Sequence, residues 1–178
     1  MSNHVTRLIE TLRAPESGAP KAWTSTEAEL GTSLPGDYKE LIDRLGGGRA
    51  EEYLYLLEPG SPNAHYDLVA HTRERAEAYE EIWEVEEKPA ELRAEGSRIL
   101  PWATTDNGEW LFWLALPGQH PDAWTVMLNE ARGDTWEHYD MNCTDFLHAA
   151  LTGEIRSDVL WSRFPLPRHV FAKFSPES

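Results

Sequence analysis

Val5, Leu8, Ile9 and Leu12 recur at spacings of three and four and predict a helix from about His4 to Arg13. Pro15, Gly18 and Pro20 then make a loop. Trp23 precedes a short second helix. Thr24 with Glu27, or Thr26 with Glu29, has the spacing of a capping box at its start, and Gly31 ends it. Pro35 stands near the first position of a third helix, where its missing N–H is least felt. Tyr38, Leu41, Ile42 and Leu45 form the apolar face of that helix. Gly46–Gly48 read as its C-terminal cap and a tight turn.

The period then shifts to two. Glu52 to Leu57 is apolar at both alternating sets of positions and reads as a strand covered on both faces. After the turn-rich Pro59–Asn63, the spacing predicts a long helix from about Tyr66 to Glu86. Its stripe is Leu68, Val69, Ala76, Tyr79, Ile82 and Trp83. Ile99 to Ala103 and Glu109 to Leu116 read as strands joined at Asn107-Gly108, a strong hairpin signal. With no polar face, the second of these belongs in the middle of a sheet. Trp124 to Asn129 and Thr135 to Tyr139 are two further strands, so an antiparallel meander follows. Asn142 or Thr144 caps a last helix bearing Phe146, Leu147, Ala150 and Leu151, which ends at Gly153. Trp161, Phe164, Phe171 and Phe174 predict a C-terminal tail packed on the body.

Composition sharpens this picture. A chain of 178 residues, 40% hydrophobic and with eight Trp, holds one domain with a real core but not two full-sized ones. The single Cys143 excludes an internal disulfide and any site built from several cysteines, and points to a reducing, cytoplasmic setting. The N-terminus lacks the pattern of a signal peptide. No apolar run approaches the ~20 residues of a membrane helix. Net charge is −15, and residues 51–150, with six Lys/Arg against twenty-one Asp/Glu, carry the imbalance. Such a field repels nucleic acid and anionic membranes, and it either serves solubility alone or marks a surface for a basic protein partner.

Familiar catalytic patterns are missing. Gly46–Gly48 lack the Gly-Lys-Ser/Thr ending of a phosphate loop and follow a helix instead of opening one. The seven histidines show neither His-x-His nor His-Glu-x-x-His spacing, so no metal site is assigned. Asp145 and His148, three apart on a helix, read as a local hydrogen bond or a solvated face. Asp106-Asn107-Gly108-Glu109 lacks the alternating ligands of a calcium loop and reads as a turn. Cys143 reads as a small buried hydrophobe, and no Gly-x-Ser-x-Gly occurs. No catalytic or cofactor-binding residue is assigned.

Four segments together resemble the SUKH superfamily, the Smi/Knr-like proteins. They are Trp23 with Glu27–Gly31; Leu34-Pro35-x-Asp37-Tyr38-Lys39 leading to Gly46–Gly48; Leu57-Glu58-Pro59; and Leu100-Pro101-Trp102-Ala103 with Asp106–Glu109 and the aromatic strand after it. The match covers about residues 20–152, and residues 153–178 form an extension beyond it. The resemblance implies an α+β fold with a single, mainly antiparallel sheet and helices packed against it. It implies no enzyme activity and no cofactor. Many bacterial members look like immunity proteins that neutralise a cognate toxin, often a nuclease, and fungal members act as regulatory interaction proteins.

The leading expectation is therefore a cytoplasmic immunity protein binding a basic toxin domain. A regulatory or scaffold module that binds host proteins or peptides is the alternative, and an enzyme or small-ligand binder a third reading. Charge clustering nominates Glu74, Glu77, Glu80, Glu81 and Glu84 as partner-binding residues, with Asp106 and Glu109 beside them. One or two of the strand tryptophans at a sheet edge, rimmed by the acidic helix, would complete the interface.

Overall fold

Helix α1 (Asn3–Leu12) buries the four apolar residues that its spacing singled out, Val5, Leu8, Ile9 and Leu12. The structure, a computed structural model, describes residues 3–176. Helix α2 (Trp23–Leu30) begins at Trp23 itself, ahead of both expected capping residues. Its capping residue is Ala22, with no side-chain hydrogen bond, so neither capping box forms. Glu27 is drawn away instead: its carboxylate accepts the Leu34 N–H at 2.6 Å and pairs with Lys39 Nζ at 3.3 Å. Helix α3 (Gly36–Leu45) buries Tyr38, Leu41, Ile42 and Leu45. Gly46 ends it at φ 81°, ψ 165°, a conformation open to glycine but outside the left-handed helical cap expected there.

Gly48 belongs to a strand that the pattern did not reveal, β1 (Gly48–Ala50). A tight turn leads to β2 (Leu54–Leu56), shorter than the predicted Glu52–Leu57 because Glu51 and Glu52 take positive φ in that turn. A single 3₁₀ turn (Ala64–Tyr66) precedes α4 (Leu68–Ile82), whose cap is Asp67 accepting the Ala70 N–H at 2.9 Å. Strands β3 (Arg98–Thr105), β4 (Trp110–Ala115), β5 (Thr125–Asn129) and β6 (Trp136–Tyr139) follow as the expected meander. Pro101 sits in β3 where the pairing with β4 shifts register between Pro101 and Ala103. A bulge is where a strand tolerates a residue without N–H. Asn142 caps α5 (Cys143–Thr152) by accepting the Asp145 N–H, and left-handed Gly153 closes it.

The tail contributes β7 (Phe171–Lys173), also unpredicted, which pairs antiparallel with β1. The result is an α+β fold with one seven-stranded antiparallel sheet, ordered β6-β5-β4-β3-β2-β1-β7. On one face, α1, α3 and α5 close a core with Trp102, Leu111, Trp113, Val126 and Leu128. On the other, α4 covers a smaller cluster with Phe112, Leu114 and Met127. Strand β4 is thus apolar on both sides because helices lie on both sides. In the tail, Phe164 and Phe174 are buried as expected, whereas Trp161 is left 41% exposed.

Between the helices, Asp37 at the start of α3 receives three donors from the start of α5. Its Oδ2 accepts the Thr144 hydroxyl at 2.8 Å, the Thr144 N–H at 3.2 Å and the Cys143 thiol at 3.5 Å. Burial and the Asp37 charge push the Cys143 thiol well above its ordinary range, which leaves it unreactive.

Candidate functional site

Helix α4 positions four of the five nominated glutamates. With ~100° per residue, Glu74, Glu77, Glu80 and Glu81 fall within an arc of about 120°, and all five nominated glutamates are exposed. Ile82 ends the helix, so Glu84 lies two residues beyond it and the helix is shorter than the predicted span to Glu86. Leu68, Val69, Thr72 and Tyr79 are buried, with Arg75 and Ile82 half-buried. Ala76, expected in the apolar stripe, is exposed; Arg75 turns inward instead, its guanidinium 4.8 Å from the Trp110 ring centroid. A cation over an indole face keeps its charge while its stem covers apolar surface.

The glutamates are not equivalent. Glu74 pairs with Arg75 at 2.9 Å and lies 3.4 Å from His71. Among the described residues, Glu77, Glu80, Glu81 and Glu84 form no ion pair. Just past the helix, Val85 is 87% exposed between Glu84 and Glu86, and Lys88 lies over the Trp83 ring at 5.0 Å. Nothing in the periodicity flagged Val85, since it stands outside the helical stripe.

Beside the helix runs a shallow groove of about 190 Å³, with Tyr79, Trp110 and Trp136 in its lining and the Glu130–Gly133 turn at its far side. Trp102, Trp113 and Trp124 are buried, whereas Trp110 and Trp136 are only half-buried. Tyr79 is wedged against Phe112 and Trp136, each with ring centroids 5.6 Å away, and its hydroxyl donates to Asn129 Oδ1 at 2.5 Å. Burial pushes the Tyr79 phenol up to about 12, with Arg75 opposing and Glu86 adding to the shift.

Asp106 and Glu109 do not join this surface. Asp106 is exposed in the β3–β4 turn, but its Oδ1 accepts the Tyr55 hydroxyl at 2.5 Å. Glu109 is only 4% exposed and accepts the Tyr53 hydroxyl, which itself accepts the Trp161 N–H at 2.9 Å. The hairpin turns the Glu109 carboxylate inward, where it fastens the tail, and not outward as its nomination as a partner contact supposes. Asp145 pairs with His4 at 2.7 Å rather than with His148. Among the described residues, no group of three or more His, Cys, Asp or Glu could hold a metal ion, and no helix is long and apolar enough to cross a membrane.

The acidic arc lies on the solvent face of α4, opposite Arg75, Tyr79 and Ile82, which line the aromatic groove; it can attract a basic surface, and it contains no arranged nucleophile and base. The family model described as SMI1 / KNR4 family (SUKH-1) matches residues 19–148, from just before α2 into α5. That span contains the α4 surface and leaves out α1 and β7. No curated protein and no solved structure matches the chain.

Proposed function

This chain belongs to the SMI1 / KNR4 family (SUKH-1), and we propose that within it the protein is a non-enzymatic immunity protein that neutralises a basic toxin domain, a nuclease being the best-fitting class. The observation that carries this reading is the arc of unpaired glutamates, Glu77, Glu80 and Glu81, on the solvent face of α4, continued just past its end by Glu84 and the exposed Val85. A net charge of −15 draws a basic catalytic face towards this surface and raises the encounter rate. The glutamates then compete with the nucleic-acid phosphates that such a face is built to hold. Burial of the exposed Val85 in the contact slows dissociation.

Co-expression with the product of the neighbouring gene tests the reading. Rescue of growth together with a stable complex supports it. The association rate of that complex should fall at least ~10-fold between about 10 and 150 mM salt, as steering by exposed charges requires. A toxic neighbour that neither binds nor is silenced overturns the immunity role, and a salt-independent rate overturns the steering.

A further inference from the structure

The acidic surface leaves a second concave region unexplained. The C-terminal end of α5 and tail residues between Arg156 and Pro167 line an open groove of about 740 Å³, within the size range of binding pockets. Arg156 and Arg163 line it, and no carboxylate does. Leu151, Pro165 and Leu166 supply apolar lining, and the exposed Trp161 forms a wall with Arg163 5.9 Å from its ring centroid. Among the described residues neither arginine has an ion-pair partner; Arg156 makes one long hydrogen bond, 3.5 Å to the Phe164 carbonyl. In a chain of net charge −15, two uncompensated guanidinium groups beside an exposed indole stand out as a local reversal of sign.

The groove is held in shape before anything binds. Tyr53 accepts the Trp161 N–H, Ser157 Oγ accepts the N–H groups of Val159 and Leu160, and Glu51 accepts that of Leu166. Phe164 and Leu160 anchor the same segment in the core. Such prior ordering lowers the entropy lost on binding.

We propose that this groove is a docking site for an acidic peptide segment of a partner protein, an extended stretch with an apolar side chain between carboxylates. Two carboxylates pair with Arg156 and Arg163, for which the planar guanidinium is well matched. The apolar side chain lies against Trp161 and Leu166. A nucleic acid fits less well, because it would bring its dense backbone charge against the negative field of the whole molecule. A short peptide presents only the charge that the two arginines neutralise. The surface is separate from α4 and does not depend on the immunity role.

The test uses the full chain, ¹⁵N-labelled, titrated with a ten-residue peptide of Ser and Gly that carries one Asp and one Glu on either side of a central Leu. The indole N–H of Trp161, assigned with Trp161→Phe, is the reporter. Saturable shifts are expected, with affinity at least ~10-fold weaker for Arg163→Glu and for a peptide with Lys in place of its acids. Arg163→Lys, which keeps the charge but not the fork, falls between. Glu77→Lys with Glu80→Lys leaves peptide binding intact even though it alters the α4 surface. No shift at millimolar peptide, a shift unaffected by Arg163→Glu, or an equal response to single-stranded DNA or inorganic phosphate overturns the proposal.

Discussion

The Glu51 carboxylate accepts the backbone N–H of Val170 at 2.9 Å, across 119 positions of sequence. Its second oxygen accepts the Leu166 N–H at 2.8 Å and lies 3.0 Å from His169 Nδ1. Glu51 is 1% exposed and sits at φ 59° in the β1–β2 turn. The contact is therefore a clamp: a turn of the first hairpin holds the tail in place for β7 to pair with β1.

Replacing Glu51 with Ala leaves two backbone donors without their acceptor, and stability should fall by about 3 kcal/mol. Glu51→Gln, which keeps one carbonyl oxygen, should lose less. Urea unfolding measures the loss, and trypsin should cut faster at Arg163 and Arg168 in the Ala variant. Unchanged unfolding and cleavage would show that the tail is held elsewhere.

Asp37→Ala should destabilise by about 2 kcal/mol, since the Thr144 N–H loses its acceptor and the Thr144 hydroxyl keeps only Asn142 Oδ1 at 3.2 Å. The change should act between α3 and α5, so hydrogen exchange at the start of α5 should quicken while the β4–β5 ladder stays protected. Uniform loss of protection would argue against a local tie.

At Gly48 an added Cβ would stand 2.4 Å from the Ala172 carbonyl oxygen. Gly48→Ala should therefore push β7 from β1 and cost about 2 kcal/mol, in line with overpacking. Loss of amide protection in residues 171–173, with β3 to β6 unchanged, is the expected exchange pattern.

The protein should lose stability in alkali. Burial raises Tyr79, and Tyr139 is likewise raised to about 12, chiefly by burial and then by Glu137. Tyr38 is raised further by full burial. The native state thus holds phenolic protons that the unfolded chain gives up near pH 10. Stability from these groups is complete below pH 10 and declines as pH rises towards 12. Denaturant midpoints across pH 8–11.5 measure this, and Tyr79→Phe should flatten part of the decline while losing the bond to Asn129.

On α4, Glu80→Lys and Glu81→Lys should each change stability by no more than about 0.5 kcal/mol, as exposed substitutions do, and yet slow partner association. Glu109→Ala should do the reverse. It removes the buried acceptor of Tyr53 and should destabilise by about 2 kcal/mol, with little direct effect on association. Equal stability losses at Glu81 and Glu109 would contradict the division between surface and interior.

Short-range order was legible in the sequence. The apolar faces of α1, α3 and α5 follow from spacings of three and four, the Asn107-Gly108 turn announces the β3–β4 hairpin, and the same helical spacing puts the α4 glutamates on one arc. These features depend on neighbours along the chain, which periodicity encodes. The pairing of β7 with β1, the clamp at Glu51, the inward turn of Glu109 and the exposure of Val85 and Trp161 were decided only in three dimensions. Strand partners lie at any separation along the chain, and a carboxylate's surroundings depend on which distant segment arrives beside it. Glu80 and Glu109 are the same side chain in sequence. One stands in water because its helix covers the sheet with the opposite face, and the other is buried because the returning tail brings Trp161 over the Tyr53 hydroxyl it holds.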